Sequence, residues 1–364
     1  MTGARHLGAP VAPGGTIGIL GGGQLGRMLA MAAARLGLKA HIYSDLDDVP
    51  AFQVCDAHTI APFGDRAALE TFAAACDAVT YEFENVPAET AAILSELKPT
   101  NPNARALGVA QDRLEEKTFV RELGLSTAPF ADVGSEDAAR KGFAKLGGGP
   151  AVLKTRRLGY DGKGQAIVKS ADEAAAAFVR FARPSILEGF VEFAFEASVI
   201  GARAADGSFA AYDPPENIHE NHILKRAIVP ARLSDAQVDA AKAIAKRIAD
   251  ALDYVGVLGV ELFVAKDGEL LVNEIAPRVH NSGHWTLEAC AVSQFEQHIR
   301  CVAGWPLGDA SRHSDAVMEN IIGEEAAGWR KLAASGGALH LYGKREIRSG
   351  RKMGHITKLS PRTR

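Results

Sequence analysis

The hydrophobic pattern alternates short apolar runs with helix-length amphipathic stretches. Residues 16–20 are an apolar run, followed by Gly21-Gly22-Gly23-Gln24-Leu25-Gly26 and an Ala/Leu/Met-rich segment to about Leu36. Gly37 closes that segment, and residues 40–44 form a second apolar run. Strand, glycine turn, helix, strand is a βαβ unit. Asp77-Ala78-Val79-Thr80-Tyr81 reads as a further strand, and Gln111 opens a helix. Gly124 and Pro129 mark a boundary beyond it. The pattern then predicts a helix over 135–146, strands at 150–154 and 165–168, a strand and linker over 185–191, and a half-buried strand at 196–200. Residues 214–222 read as a polar loop, and 234–252 as an amphipathic helix with an Ala/Ile/Leu stripe. After Trp285 a helix is expected to about Arg300, broken by Gly304-Trp305-Pro306.

Two apolar runs, residues 260–265 and 270–272, flank Asp267-Gly268, a strong hairpin signal. A two-residue loop there sets Lys266 opposite Glu269, Val264 opposite Leu271 and Glu261 opposite Glu274. Opposed residues share one face with Cβ atoms about 5 Å apart. Two carboxylates so placed repel, and a hard dication bound with substrate phosphates relieves them. An exposed hairpin with both acids in water is the plainer reading. Against it, Asn273, Arg278, His280, Asn281, Ser282 and His284 crowd the exit of the second strand.

Composition narrows the field. With 364 residues, 47% hydrophobic and 23% charged, the chain reads as a soluble enzyme of two or three domains. A net charge of −3 argues against general nucleic-acid binding. Cys55, Cys76, Cys290 and Cys301 show no Cys-x-x-Cys spacing and read as reduced thiols of a cytoplasmic protein. Residues 1–15 are expected to be a disordered tail rather than a signal peptide, and no apolar run approaches membrane-spanning length.

Other motifs carry chemistry. Gly21, Gly23 and Gly26 make a G-x-G-x-x-G pattern, with Asp45 about twenty residues on. Its backbone amides suit the phosphate of a dinucleotide, of a nucleotide monophosphate, or no ligand. Glu82 and Glu84 follow a strand, at the usual ligand crevice of a parallel sheet. Both also suit the start of the next helix, and Glu84 is assigned there. Lys154 ends a strand, and Arg156 to Gly164 is a cationic glycine-rich turn suited to a lid over phosphates. His219 and His222 are a weak metal pair without a third ligand. The run from Lys344 to Arg351 is basic and suits a small phosphate.

The metal-strand acid Glu261, the Asn273-Glu274 pair and the run Ile275-Ala276-Pro277-Arg278-Val279-His280-Asn281-Ser282-Gly283-His284-Trp285 resemble the N5-carboxyaminoimidazole ribonucleotide synthetase family of ATP-grasp ligases. Lys154, then Gly159-Tyr160-Asp161-Gly162-Lys163-Gly164, and Tyr342-Gly343-Lys344 with Gly350-Arg351-Lys352-Met353-Gly354-His355, extend the likeness over about residues 16–360. Leu158 departs from a usual glycine and should stiffen one flank of the lid turn; Ser349 replaces a common proline. The resemblance implies an N-terminal doubly wound α/β domain (residues 16–115), a central α+β ATP-grasp domain (116–305, lid about 122–187) and a short C-terminal β domain (306–364).

It further implies ATP- and bicarbonate-dependent carboxylation of 5-aminoimidazole ribonucleotide through carboxyphosphate. Mg²⁺, or Mn²⁺, would sit on Glu261 and Glu274. ATP would be held by Arg113, Lys154, Gly159, Gly162, Gly164, Glu188, Gly189, Phe190, Val191, Glu196, His219, Asn273 and Glu274. The aminoimidazole nucleotide would be held by Gly23, Gln24, Leu25, Glu82, Tyr160, Lys163, Lys344 and Arg351. Arg278, His280, Asn281, Tyr160 and Asp161 would serve the chemistry. A homodimer passing its product to a mutase is implied, with no nucleic-acid or membrane partner. Three other readings compete: a formate-dependent ATP-grasp ligase, a nicotinamide-dependent oxidoreductase resting on Gly21 to Gly26, and a non-catalytic ATP-binding relative.

Overall fold

The computed structural model describes residues 9–159 and 164–363. The βαβ unit forms as β1 (Thr16–Leu20), α1 (Gln24–Arg35) and β2 (Lys39–Ser44). It continues through β3 (Ala57–Ile60), α2 (Arg66–Ala74), β4 (Ala78–Tyr81), α3 (Ala88–Leu97) and α4 (Ala104–Gln111). The strands are parallel in the order β3-β2-β1-β4. The chain therefore reverses direction across the sheet at β1, and the crevice at such a point lies outside the strands' carboxyl ends. Here those ends lead into Gly21 and Glu82.

The next helix is α5 (Arg113–Glu122), not a helix from residue 111, because the Asp112 carboxylate caps it by accepting the Leu114 N–H at 3.0 Å. The lid follows: β5 (Phe130–Val133), α6 (Glu136–Lys145), β6 (Ala151–Thr155), β7 (Gln165–Val168), α7 (Ala171–Phe181) and β8 (Ser185–Gly189). Its strands pair antiparallel in the order β5-β8-β6-β7 and carry their own core around Phe143, Leu153 and Leu187.

The body is one large sheet. Its elements are β9 (Phe193–Arg203), β10 (Phe209–Ala211), β11 (Glu216–Glu220), β12 (Ile223–Val229), α8 (Asp235–Ala251), β13 (Gly256–Ala265) and β14 (Leu270–Ala276), then α9 (Thr286–Ala289) and α10 (Gln294–Val302). β15 (Ser314–Ile322), α11 (Trp329–Ala333), β16 (Ala338–Leu341) and β17 (Lys352–Pro361) complete it. The order is β14-β13-β9-β11-β12-β15-β17-β16, with β10 on β9. The C-terminal strands thus extend the central sheet through β12 and β15. That extension carries the basic loop after β16 back to the N-terminal domain, where Gln53 Nε2 donates to the Gly343 carbonyl at 2.9 Å.

Three further expectations are corrected here. The polar segment 214–222 contains β11, paired with both β9 and β12, because tertiary pairing overrides its poor strand composition. The helix after Trp285 is two helices: Cys290 bridges to Arg312, and Ser293 caps α10. The tail ends sooner than residue 15, since Val11 N–H donates to the Ala303 carbonyl and Trp305 Nε1 donates to the Val11 carbonyl at 2.7 Å. Residues 1–8 lie outside the described residues.

His298 on α10 joins the N-terminal domain to the body. Its Nδ1 accepts the Val257 N–H at 3.0 Å, so Nε2 carries the proton toward Thr80 Oγ1 at 2.7 Å. Burial pushes His298 down to about 4. The folded state then refuses a proton that the unfolded chain takes up near its ordinary value of 6.5. This contribution is present above pH 6.5 and is lost as pH falls toward 4. It amounts to roughly 3 kcal/mol. Urea unfolding across that range should show the acid loss, with a flatter slope in His298→Gln; equal slopes would remove His298 as its source.

Candidate active site

The hairpin of β13 and β14 has an unexpected register at its tip and the expected one at its acids. Ala265 N–H donates to the Glu269 carbonyl and Gly268 N–H to the Ala265 carbonyl, both at 2.9 Å, so the loop is Lys266-Asp267-Gly268. Gly268 takes φ +91°, the left-handed residue of a three-residue hairpin loop. Lys266 therefore does not pair with Glu269, and Val264 faces Leu270 rather than Leu271. A bulge between Glu261 and Leu262 absorbs one residue, Asn273, and returns Glu261 opposite Glu274. Burial and then the Glu274 charge push the Glu261 carboxyl up to about 7. No group of three or more His, Cys, Asp or Glu side chains placed to hold a metal occurs among the described residues. Two directly opposed carboxylates nevertheless fit Mg²⁺, which takes few protein ligands and completes its shell with water and phosphate.

On the lid side of the cleft, Lys154 Nζ donates to Glu188 Oε2 at 2.9 Å, and Lys117 Nζ lies 3.8 Å from the same oxygen. Burial alone would raise the Glu188 carboxyl, but Lys117 and Lys154 outweigh it and hold it at about 2. Gly189, Phe190 and Val191 lead from β8 to β9, with Phe190 49% exposed. Across the cleft, His219 Nδ1 lies 2.7 Å from Glu196 Oε2. Burial opposes protonation of His219, yet Glu196 raises its pKa above the ordinary value. Arg113 donates to the carbonyls of Gly159 at 2.8 Å and Thr155 at 3.2 Å, holding the root of the lid turn. Gly164 closes that turn at φ +70°, where a Cβ would lie 2.6 Å from Thr155 Oγ1. Leu158 sits at φ +62° with its side chain exposed, a left-handed conformation costing about 1 kcal/mol that a glycine avoids. Tyr160, Asp161, Gly162 and Lys163 lie outside the described residues.

The segment after β14 is clamped by Gln294, which is fully buried. Its Oε1 accepts the His280 N–H at 2.9 Å and its Nε2 donates to the His280 carbonyl at 2.7 Å. His280 Nε2 lies 3.2 Å from Glu261 Oε1, and its Nδ1 accepts the Ser282 N–H at 3.3 Å. Burial, aided by Arg278, drops the His280 pKa well below its usual value, so the imidazole is neutral. Both side-chain amide atoms of Asn281 are buried without a hydrogen-bond partner among the described residues. Arg278 Nε donates to Glu84 Oε2. Glu84 is thus not a helix-start acid: α3 begins at Ala88, and the arginine holds the Glu84 carboxyl below its ordinary value against burial.

The glycine turn is filled from within. Glu82 accepts the Gly23 N–H at 2.5 Å and the Gly26 N–H at 2.8 Å. A Cβ on Gly23 would lie 2.6 Å from Glu82 Oε1, and one on Gly21 would lie 2.2 Å from Glu82 Cγ. The amides that a dinucleotide phosphate would need already hold a carboxylate. Gln24 and Leu25 begin α1 beside it. Burial raises the Glu82 carboxyl, while the two amides, Arg278 and Lys344 pull it down, which places both cations near it. Lys344 Nζ donates to the Lys352 carbonyl at 2.7 Å and Arg351 donates to the Glu346 carbonyl at 2.9 Å. A cavity of about 220 Å³ opens beside them, lined also by Leu46, Asp48, Arg345 and Arg348.

The structure thus sets Glu196 and His219 near Glu261, links Glu274 through Lys117 to Glu188 and Lys154, and groups Gly23, Glu82 and Lys344. Sequence reading misassigned Glu84 and missed Glu116, Lys117 and Gln294. Glu116 is buried, and burial with the Glu274 charge pushes its carboxyl up to about 8. An acid and a lysine within a charged helix carry no local signal of burial.

Three family models match in chain order: the ribonucleotide synthetase preATP-grasp domain over 15–111, the ATP-grasp domain over 118–295, and the phosphoribosylaminoimidazole carboxylase C-terminal domain over 316–364. The N5-carboxyaminoimidazole ribonucleotide synthase of Brucella melitensis is 53% identical, covering 96% of this chain and 98% of that one. That of Bacillus subtilis is 42% identical, covering 95% and 91%. Among solved structures, N5-carboxyaminoimidazole ribonucleotide synthetase from Thermus thermophilus has a TM-score of 0.89 at 46% identity, covering 94% and 93%. The Aspergillus clavatus synthase in complex with ADP and 5-aminoimidazole ribonucleotide also has a TM-score of 0.89, at 32% identity, covering 96% and 94%.

Proposed function

This chain belongs to the N5-carboxyaminoimidazole ribonucleotide synthase family of ATP-grasp ligases, and we propose that it works through two adjoining sites joined by the segment 278–281. The activity is ATP-dependent carboxylation of 5-aminoimidazole ribonucleotide in purine biosynthesis. The observation that carries the two-site reading is the placement of Arg278 and His280. Arg278 pairs with Glu84 of the N-terminal domain, while His280 lies against Glu261 of the paired acids.

Bicarbonate is a poor electrophile because its leaving group would be hydroxide. Transfer of the γ-phosphoryl of ATP to a bicarbonate oxygen gives ADP and carboxyphosphate, whose leaving group is phosphate. The exocyclic amine of the nucleotide then gains the carboxyl group, phosphate leaves, and the amine proton is lost. Lys154 supplies a fixed cation to the transferring phosphoryl, and Arg278 with Asn281 holds bicarbonate and its phosphorylated form. Neutral His280 offers a donor without a second positive charge. Bound between Glu261 and Glu274, Mg²⁺ or Mn²⁺ would supply further positive charge to the phosphates. Glu188, the 189–191 linker, Glu196 and His219 would take the adenosine. Gly23, Gln24, Leu25, Glu82, Lys344 and Arg351 would take the aminoimidazole nucleotide. The family likeness supports domain boundaries near 115 and 305, a cytoplasmic homodimer and transfer of the product to a mutase. No helix among the described residues is long and apolar enough to cross a membrane.

The test is ADP release with each co-substrate omitted in turn. ADP should form only when ATP, bicarbonate and the aminoimidazole nucleotide are all present. ADP formed with formate in place of bicarbonate would sink the carboxylation chemistry.

A further inference from the structure

β14, which carries Glu274, is the edge strand of the body sheet. An edge strand leaves backbone donors and acceptors without strand partners. Two consecutive side chains of α5 take up those groups on either side of Glu274. Lys117 Nζ donates to the carbonyls of Asn273 at 2.8 Å and Val272 at 3.2 Å. Glu116 Oε1 accepts the Ile275 N–H at 2.6 Å. The Asn273 carbonyl and the Ile275 amide belong to the two peptide groups that bracket Glu274. Lys117 also reaches across the cleft, 3.8 Å from Glu188 on β8, which in turn holds Lys154.

Both side chains are almost fully excluded from solvent, with relative exposures of 2% for Glu116 and 1% for Lys117. Burying two ionisable groups is costly, and apolar residues of similar volume often serve packing as well or better. The arrangement is also placed where a bulge has just shifted the strand by one residue. A bulge leaves its extra residue unpaired and the ladder locally disrupted, so an outside brace on the backbone matters most at this point.

We propose that Glu116 and Lys117 are positioning residues that fix the backbone around Glu274 and tie it to the Lys154–Glu188 pair across the cleft. They set the separation between the metal-side acid and the phosphate-side cation before nucleotide arrives. The proposal rests on the reading of Glu274 as a metal-side acid.

The test uses Lys117→Met, which keeps the side-chain length without the donor, and Glu116→Leu beside Glu116→Gln, which removes or keeps an acceptor for Ile275. Each full-length variant is assayed for kcat and KM, and for amide hydrogen exchange at residues 272–275 without nucleotide or metal. Lys117→Met and Glu116→Leu should lose on the order of 100-fold in kcat, the cost of a small misplacement of reacting groups. The KM for the aminoimidazole nucleotide should move less than about threefold, since its site lies elsewhere. Exchange at 273–275 should quicken at least about tenfold while β1 is unchanged. Glu116→Gln should recover most of the rate and protection lost in Glu116→Leu.

Wild-type kcat in Lys117→Met, faster exchange with normal kcat, or equal damage from Gln and Leu would each overturn the proposal. Should Lys117→Met fail to fold, the two Glu116 variants decide on the same readouts. An inactive wild type would overturn the proposed function instead, and the exchange pattern would still test the brace.

Discussion

Glu274→Gln is expected to lower ADP release in the presence of the aminoimidazole nucleotide on the order of 10³-fold, with the fold intact. Gln keeps the volume and the hydrogen-bonding reach of Glu but carries no charge. Glu274 is exposed to the cleft, so the change disturbs no core packing. Its charge acts on Glu261 directly opposite and on Glu116 behind it, raising both. Removing that charge relieves repulsion, so the thermal midpoint should hold or rise while activity collapses. Opposite movements of stability and rate separate a functional acid from a structural one. Melting followed by circular dichroism, beside the ADP assay, gives both numbers. An unimpaired rate in the variant would remove Glu274 from the metal-side role.

Lys344→Ala should raise the KM for the aminoimidazole nucleotide on the order of 100-fold and the KM for ATP less than about threefold, as loss of one charge-assisted phosphate contact implies. Lys344 lies beside the basic cavity and near Glu82, apart from the Lys154–Glu188 cluster. Its ammonium is held by the Lys352 carbonyl, so the side chain is placed before a ligand arrives. The split between the two KM values is the informative quantity. Equal increases would mean that the variant had loosened the junction between C-terminal strands and N-terminal domain, and the phosphate role would be lost.

Much of the site was legible in the residues themselves. Glycines at 21, 23 and 26 announced a close backbone approach, and the structure supplies it, though the approaching anion is Glu82 rather than an external phosphate. The paired acids were legible for a partly accidental reason. A two-residue loop predicts the pairing of Glu261 with Glu274; the true three-residue loop breaks that register and the bulge at Asn273 restores it. Two one-residue changes cancel, and neither leaves a mark in a hydrophobic pattern of period two. Glu84 was misassigned because an acid four residues before a helix looks like helix chemistry until Arg278, distant in the chain, is brought to it.

Local order of residues was enough to determine the βαβ start with its glycine turn, the hairpin acids and the order of the motifs along the chain. These depend on backbone preferences and on periodicity, which act over a few residues. The tertiary structure alone decided that β15 to β17 join the body sheet, that β11 is a strand, and that Glu116, Lys117 and Gln294 leave solvent to hold backbone groups. Burial and long-range pairing set those outcomes, and both are properties of where distant segments meet, not of the segments themselves.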